Sequence, residues 1–251
     1  MKELARRYEK VLITGGTHGI GKAIAEQFAS CGYEVCITGR NVEAGDEVTK
    51  NAKEKYRESM HFIPCEMQDT EQIKNAVAQA VQKMDRIDIL VNNAGIYPAA
   101  PLLEMTEEDF DRVFRVNVWG AFEMAREAAK QSMIPCKGGK LIFVSSVDGW
   151  LPSAGIAAYA ASKAAVNSLV KSFAIELSPY GIHANGIAPG WVATETVLKA
   201  GRWKSQMDSV LEKRMADPEE IGKAIIALCT ESFDYMDGEV LNFSGGLIMN
   251  A

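Results

Sequence analysis

Seven short apolar runs rich in β-branched residues recur along the chain, and helix-length amphipathic stretches separate most of them. The runs lie at residues 11–14, 34–38, 61–64, 87–91, 140–144, 183–188 and 239–243. Strands that alternate with helices build βαβ units, in which the strands lie parallel and helices cover the sheet. Runs with little polar interruption, such as 87–91, are typical of strands buried on both faces. The sequence therefore predicts an α/β fold, a doubly wound parallel sheet of about seven strands with helices on both faces.

Nothing in the sequence divides the chain into separate parts. Its 251 residues are 47% apolar and 24% charged, an ordinary globular composition. No linker rich in proline or serine interrupts it, so we expect one domain over residues 1–251, although length alone also allows two. Residues 191–215 carry several large apolar side chains without a strand pattern. We expect this segment to form a mobile flap over a cleft.

The net charge, the apolar runs and the cysteine spacing indicate which partners and metal sites to expect. The formal net charge is -6 without a long basic run, so no nucleic-acid partner is expected. Residues 1–8 are charged, and no apolar run approaches the roughly 18 residues of a membrane span. We therefore expect a soluble, cytoplasmic protein with no membrane partner. The five cysteines are Cys31, Cys36, Cys65, Cys136 and Cys229. Their odd number and scattered spacing predict reduced core residues and no metal site.

A glycine-rich turn lies between the first predicted strand and a helical run. It reads Thr14-Gly-Gly-Thr-His-Gly-Ile-Gly21. The first glycine permits a tight turn, the one at 19 lets backbone approach a pyrophosphate, and the last lets the helix pack close to the strand. The loop lacks the Lys-Ser/Thr ending of a P-loop, which argues against nucleoside-triphosphate hydrolysis. An ordinary glycine turn is the alternative, but this position favours a Rossmann-type dinucleotide site. The loop residues expected to contact the cofactor are Gly15, Thr17, His18, Gly19, Ile20 and Gly21.

The end of the second predicted strand indicates which dinucleotide binds. A carboxylate usually stands there to bind the adenosine ribose hydroxyls, but this chain reads Ile37-Thr-Gly-Arg-Asn41. Arg40, with Asn41 beside it and His18 as a further contact, would accept the ribose 2′-phosphate of NADP. One charge-assisted hydrogen bond of about 1.5–3 kcal/mol corresponds to roughly 10- to 150-fold preference for NADP over NAD. A solvated surface arginine is the alternative interpretation of Arg40.

Tyr159 and Lys163 lie four residues apart in Tyr-Ala-Ala-Ser-Lys, after a Ser145-Ser146 pair at the end of a predicted strand. A free phenol has a pKa near about 10 and is idle at neutral pH. On a helix Lys163 shares a face with Tyr159, so its ammonium favours the phenolate. A bound oxidised nicotinamide would supply a second positive charge. The pair also occurs by chance on amphipathic helices, so its context decides between redox catalysis and a plain helix face.

Together these motifs resemble the short-chain dehydrogenase/reductase family in its compact single-domain form, over nearly the whole chain. The matching segments are residues 14–21 for the cofactor loop, 92–95 after strand four, and 189–194 after strand six, with Asn117, Ser146, Tyr159 and Lys163 as the catalytic block. Two positions depart from the usual family pattern. Glu66-Met67 replaces Asp-Val after strand three, and Ser244 replaces an aspartate before the last glycine pair.

That resemblance implies roles for the catalytic positions. Tyr159 would be the general acid when a carbonyl is reduced and the base when an alcohol is oxidised, and Ser146 would hold the substrate oxygen. Lys163 would bind the nicotinamide ribose and lower the pKa of Tyr159, while Asn117 would anchor a water in a proton relay. The resemblance also implies NADP(H) contacts at Glu66, Met67, Asn93, Ala94, Gly95, Tyr159, Lys163, Pro189, Gly190, Val192 and Thr194.

Large side chains indicate the kind of substrate. The expected cleft rim contains Tyr97, Trp150, Trp191, Trp203 and Met207. Their apolar character favours an apolar or cyclic ketone, with Trp150 and Trp191 as contacts beside Ser146 and Tyr159, although ordinary packing is the alternative. A 3-oxoacyl reductase is the default member of the resembled family. Tyr180 stands where such reductases often carry a basic side chain, which weakens that interpretation.

The sequence thus predicts an NADP(H)-dependent oxidoreductase that interconverts a small-molecule ketone and a secondary alcohol by hydride transfer. An NAD-dependent alcohol dehydrogenase of the same family is the alternative. A non-catalytic NADP-binding sensor would tend to lose the tyrosine or lysine, and an epimerase of the wider family would normally have a longer chain.

Members of the resembled family usually assemble through two helices, here residues 106–132 and 159–177, and the final strand. The implied assembly is a homotetramer.

Overall fold

Seven parallel strands form one sheet within residues 8–56 and 60–249, the parts of the chain that the computed structural model describes. The strands are β1 (Lys10–Thr14), β2 (Glu34–Gly39), β3 (Met60–Pro64), β4 (Ile89–Asn92), β5 (Gly139–Val144), β6 (Ile182–Pro189) and β7 (Val240–Phe243). Their order across the sheet is β3-β2-β1-β4-β5-β6-β7, and every neighbouring pair is parallel. Each predicted run overlaps one strand.

Eight α-helices occur in the described ranges. They are α1 (Gly19–Ser30), α2 (Val42–Tyr56), α3 (Thr70–Met84), α4 (Glu107–Phe114), α5 (Ala121–Ala128), α6 (Ala157–Leu177), α7 (Glu195–Ala200) and α8 (Pro218–Leu228). Helices α1, α2 and α8 pack on one face of the sheet, while α3, α5 and α6 pack on the other. A π-helical turn, Arg115–Gly120, joins α4 to α5. The predicted fold class, a Rossmann-type doubly wound sheet, is confirmed.

The strands are apolar throughout because both faces of the sheet are covered. On β1, Val11 and Ile13 belong to the core beneath α1 and α8, whereas Leu12 belongs to the core beneath α3 and α6. Successive side chains of a strand point to opposite faces, so one continuous apolar run serves two cores. All three side chains are fully buried.

The strand order reverses between β1 and β4, and this reversal opens a crevice at their carboxyl ends. Three hydrogen bonds join the two strand ends there. The Thr14 hydroxyl accepts from the backbone N–H groups of Asn93 and Ala94, both at 3.0 Å, and the Asn93 amide donates to the Thr14 carbonyl at 3.0 Å. The glycine turn after β1 and the segment after β4 are therefore fixed against each other.

The predicted flap, residues 191–215, contains α7 and two short 3₁₀ turns instead of a strand. Both ends of the segment are anchored. Val192 is buried and forms a parallel bridge with Ala216, while Val210 is buried near the other end. Between these anchors, α7 and the turns stand over the crevice. The position of the flap agrees with the sequence analysis, and its mobility stays a prediction.

The five cysteines are free thiols, but they do not all lie in the core. Cys36, Cys65 and Cys229 are buried, and burial raises the pKa of each thiol to about 12. Cys136 is exposed in the turn before β5 and Cys31 is half-buried at the end of α1, so the core prediction is wrong for these two. Both follow the last buried turn of a helix, where the chain emerges toward solvent.

No helix in the described ranges is both long enough and apolar enough to cross a bilayer. Most of the charged segment noted at residues 1–8 lies outside the described residues, which begin at residue 8.

Candidate active site

Ser146, Tyr159 and Lys163 line one cleft at the carboxyl ends of the central strands. Ser146 follows β5 and caps a short 3₁₀ turn, Val147–Gly149. Tyr159 and Lys163 lie one turn apart in α6. The structure therefore brings together three of the four residues predicted for the catalytic block, although they come from two separate elements.

The Tyr159 hydroxyl is hydrogen-bonded to Ser146 and lies in a poorly solvated part of the cleft. The Tyr97 ring meets the Tyr159 ring edge-on, with the ring centres 5.8 Å apart. Burial raises the pKa of Tyr159 well above its usual value, the Ser146 hydrogen bond opposes that rise, and the nearby Asp148 carboxylate adds to it. With these protein groups alone, Tyr159 is protonated at neutral pH and can act as an acid.

Lys163 is buried and donates from Nζ to the Val144 carbonyl oxygen at 2.8 Å. Its Nζ lies 5.6 Å from the centre of the Tyr159 ring, as expected for residues four apart on a helix. Burial lowers the pKa of Lys163 to about 8, because desolvation disfavours the ammonium. The charge that would stabilise a Tyr159 phenolate is thus itself only just retained at neutral pH.

Asn117 lies behind the cleft in the π-helical turn and is 2% exposed. Its side chain accepts from the Ile96 N–H at 2.8 Å and donates to the Ile96 carbonyl at 2.9 Å. It also donates to the Ser162 hydroxyl at 3.0 Å, and Ser162 donates to the Tyr159 carbonyl at 2.7 Å. Asn117 therefore ties the segment after β4 to the helix that carries Tyr159 and Lys163. Its role in a water relay stays a prediction.

The glycine loop presents the beginning of α1 to the cleft. Helix α1 begins at Gly19, and His18 makes no side-chain capping bond there. A methyl group at Gly21 would lie 2.1 Å from the Gly15 carbonyl oxygen, so only glycine allows the helix to approach so closely. Gly19 has a φ of +55°, which favours glycine. Uncapped N–H donors at the positive end of the helix dipole fit a pyrophosphate.

Arg40 lies at the cleft beyond the end of β2, with its side chain 67% exposed. Its Nη1 lies 3.6 Å from Oε2 of Glu66, a loose ion pair. An exposed guanidinium with one distant partner retains donors for a phosphate. Glu66 competes for that guanidinium, which the sequence analysis did not anticipate. The NADP(H) contact predicted for Glu66 stays a prediction.

Most of the other predicted cofactor residues line the same cleft. They are Gly15, Thr17, His18, Gly19, Ile20, Gly21, Met67, Asn93, Ala94, Gly95, Pro189, Gly190, Val192 and Thr194. Asn41 does not line it, and its predicted contact with the cofactor stays a prediction. The Asn41 side chain instead accepts from the Ala44 N–H at 2.9 Å, because an asparagine before a helix readily caps it. The donors, the glycine cradle and the cleft together fit a dinucleotide.

The rim of the cleft differs from the predicted one. Tyr97 and Trp191 line it, whereas Trp150, Trp203 and Met207 do not. With the Asn167 amide in the orientation that satisfies its neighbours, the Trp150 indole donates to it at 3.3 Å. This contact directs the Trp150 indole N–H toward α6, and the substrate contact predicted for Trp150 stays a prediction. Leu151 and Pro152, the next residues along the chain, line the cleft instead.

Asp148 is a cleft residue that the sequence analysis missed. Its Oδ2 accepts from the Ser146 hydroxyl at 3.1 Å, and its Oδ1 accepts from the Ser153 hydroxyl at 2.9 Å. The signal was present, because an acid stands two residues after Ser146 in Ser145-Ser-Val-Asp-Gly. The role of Thr14 in joining the ends of β1 and β4 was also not predicted.

Comparison with known proteins identifies a family. The family model described as short chain dehydrogenase matches residues 9–205. The 3-oxoacyl-[acyl-carrier-protein] reductase of Aquifex aeolicus is 34% identical over 238 residues, covering 94% of this chain and 96% of that protein. A protein of the same name from Thermotoga maritima is 36% identical over 241 residues, covering 95% and 97%.

Solved structures of similar fold point the same way. A short-chain type dehydrogenase/reductase from Mycobacterium marinum has a TM-score of 0.91 at 30% identity and covers 96% of each chain. A gluconate 5-dehydrogenase from Burkholderia cenocepacia, solved in complex with NADP and tartrate, has a TM-score of 0.89 at 32% identity, covering 95% of this chain and 94% of its own. The matches span almost the whole chain. This protein belongs to the short chain dehydrogenase family and is an oxidoreductase of that family.

Proposed function

We propose that this protein interconverts a ketone and a secondary alcohol with NADP(H), with Tyr159 as the acid and base. The observation that carries the proposal is the meeting of two half-sites in one cleft. The glycine loop and Arg40 form one half, and the hydrogen-bonded Tyr159 and Ser146 form the other. The dinucleotide, when bound, supplies or accepts the hydride.

The protein groups would handle the proton. In reduction, negative charge grows on the substrate oxygen, and Tyr159 donates its proton to that oxygen. Ser146 binds the same oxygen, and its hydrogen bond with Tyr159 keeps the two hydroxyls together. Lys163 is held in place by the Val144 carbonyl and adds positive charge on the far side of the tyrosine ring. Asn117 positions the surrounding backbone from behind.

Two observations support NADP over NAD. No carboxylate stands directly after β2, where one would bind the ribose hydroxyls of NAD, and Arg40 extends into the cleft there. The related gluconate 5-dehydrogenase was solved with NADP. The Glu66 carboxylate beside Arg40 weakens the attraction of a phosphate, so the preference would lie toward the low end of the range for one charge-assisted bond.

A second candidate function is reduction of a 3-oxoacyl thioester on an acyl carrier protein. The names of the two reductases that share about a third of their residues with this chain favour it. Tyr180 is exposed just before Gly181 and offers no positive charge to an acidic carrier. Reduction of an acetoacetyl thioester attached to the carrier, compared with free ketones, separates the two candidates.

Tyr159→Phe is expected to lower turnover of any ketone by at least about a hundredfold, because the proton donor is removed while the ring remains. NADPH binding, followed by protein fluorescence, should persist, since the glycine loop and Arg40 are unchanged. Tyr97→Phe is the matched control, because it removes a phenol from the rim without touching the proposed proton path. Near-normal turnover by Tyr159→Phe would contradict the mechanism.

Arg40→Asp is expected to lower kcat/KM for NADPH and to shift the NADPH/NADH ratio by about tenfold or more toward NADH, because a carboxylate repels the 2′-phosphate. Arg40→Ala is the companion variant, which removes the charge without adding a new one and should give a smaller shift. The ratio of kcat/KM values for the two cofactors is the readout. An unchanged or increased ratio in Arg40→Asp would refute the assignment.

A homotetramer is the proposed assembly, and exposed aromatic side chains on two helices support it. Phe110 and Phe114 on α4 stack with ring centres 4.8 Å apart, and Phe110 is 41% exposed. Trp119 and Phe122 continue the same surface. Arg112 and Arg115 line the same surface, and aromatic side chains and arginines are both enriched at protein interfaces. Sedimentation equilibrium is expected to give four times the mass of the chain, and Phe110→Asp should reduce it. A wild-type monomer would contradict this assembly.

A further inference from the structure

The hydroxyl group of Ser146 donates its hydrogen bond to Asp148. Ser146 donates to Oδ2 of Asp148 at 3.1 Å, and a carboxylate can only accept, so the direction of this bond is fixed. The backbone N–H of Asp148 donates to the same serine oxygen at 3.1 Å. Ser153 donates to the other carboxylate oxygen at 2.9 Å and holds the group in position. One lone pair of Ser146 remains for Tyr159.

A ketone oxygen is an acceptor, so Ser146 can bind it only by turning its proton away from Asp148. That rotation leaves Oδ2 of Asp148 without its donor. No salt bridge to Asp148 exists among residues 8–56 and 60–249, and Arg202, which lines the same cleft, donates to the Ala154 carbonyl at 3.0 Å. Asp148 is half-buried, so water would have to replace that donor, at a modest cost in binding free energy. A ketone alone therefore binds at a disadvantage.

We propose that the substrate is a ketone with a hydroxyl group on the carbon next to the carbonyl. The carbonyl oxygen replaces Asp148 as the acceptor of the Ser146 proton, and the neighbouring hydroxyl replaces Ser146 as the donor to Asp148. This inference rests on the proposed carbonyl reduction and names its substrate class. Adjacent oxygens of a hydroxyketone can reach neighbouring partners such as Ser146 and Asp148, which lie within hydrogen-bond distance of each other.

The chemistry balances without any proton exchange by Asp148. A hydride reaches the carbonyl carbon, Tyr159 gives a proton to the carbonyl oxygen, and the product is a vicinal diol. Asp148 accepts the hydrogen bond of the second hydroxyl throughout. Tyr97, Leu151 and Ile156 line the cleft around these groups. Ile156 is buried, whereas Tyr97 and Leu151 are exposed at the rim.

The arrangement also distinguishes this cleft from one suited to a 3-oxoacyl thioester. Such a substrate has a methylene group beside the reacting carbonyl, and a methylene cannot donate to Asp148. A negatively charged group at the same place would be repelled by the carboxylate. The hydroxyketone class therefore makes use of a residue that an acyl thioester leaves unsatisfied.

The test compares three ring ketones of similar shape with NADPH: 2-hydroxycyclohexanone, 2-methoxycyclohexanone and cyclohexanone. In the wild-type protein, kcat/KM for the hydroxyketone is expected to exceed that for the methoxyketone by about tenfold or more, because only the hydroxyl donates. In Asp148→Asn that ratio should fall severalfold, because a neutral amide oxygen accepts from the substrate hydroxyl more weakly than a carboxylate does. Glu195→Gln, which neutralises an exposed carboxylate of α7 outside the cleft, should keep the wild-type ratio.

The outcomes separate this inference from the proposed function. Reduction of all three ketones with equal efficiency by the wild-type protein would overturn the inference and leave the proposed carbonyl reduction standing. A wild-type preference that is undiminished in Asp148→Asn would also overturn it, since the hydroxyl would then bind a group other than the carboxylate. The wild-type comparison needs no variant, so it tests the inference even if Asp148→Asn misfolds. Failure to reduce any of the three would count against both.

Discussion

Burial of Tyr159 beside Lys163 is the constraint on which the site depends. Desolvation disfavours charge on both groups, so it raises the pKa of the phenol and lowers that of the ammonium to about 8. Neither shift by itself makes Tyr159 a base at neutral pH. The tyrosine needs positive charge nearby, and an oxidised nicotinamide ring carries one. In the proposed function, the cleft that fits the dinucleotide is therefore also a part of the proton chemistry.

The fold keeps this arrangement in place through a few hydrogen bonds at the carboxyl edge of the sheet. Thr14 and Asn93 join the end of β1 to the end of β4. The Asn117 side chain is hydrogen-bonded to Ile96, in the segment after β4, and to Ser162 of α6. Ser162 in turn donates to the Tyr159 carbonyl. The nucleotide half and the catalytic half of the cleft are thus connected through buried polar contacts. Such fully satisfied networks favour a single geometry.

Much of this could be predicted from the sequence because the informative patterns are local. Buried parallel strands read as apolar runs, and a glycine turn between strand and helix has a steric reason that holds at Gly21. Side-chain direction is harder to predict. The Asn41 side chain caps α2 and the Trp150 indole N–H points to α6, and the residue types alone do not indicate either direction. The ion pair of Arg40 with Glu66 joins two strands and requires the sheet order.

Asp148 was missed for a different reason. A carboxylate two residues after Ser146 is plain in the sequence, but its importance follows from which way the Ser146 proton points. That direction depends on the turn after β5, where the Asp148 N–H and its carboxylate both contact the same oxygen. The residue has two effects in the structure. It raises the pKa of Tyr159, and it engages the proton that a ketone would otherwise receive from Ser146.

The most direct test of the account is the pKa of the Tyr159 hydroxyl, with and without NADP⁺. It can be measured by NMR titration of protein labelled with ¹³C in the tyrosine rings, with Tyr159→Phe to assign the signal. The account predicts a pKa above the ordinary value of about 10 in the free protein and a clear fall toward neutrality when NADP⁺ binds. A Tyr159 pKa that NADP⁺ leaves unchanged, or one already near neutrality in the free protein, would contradict it.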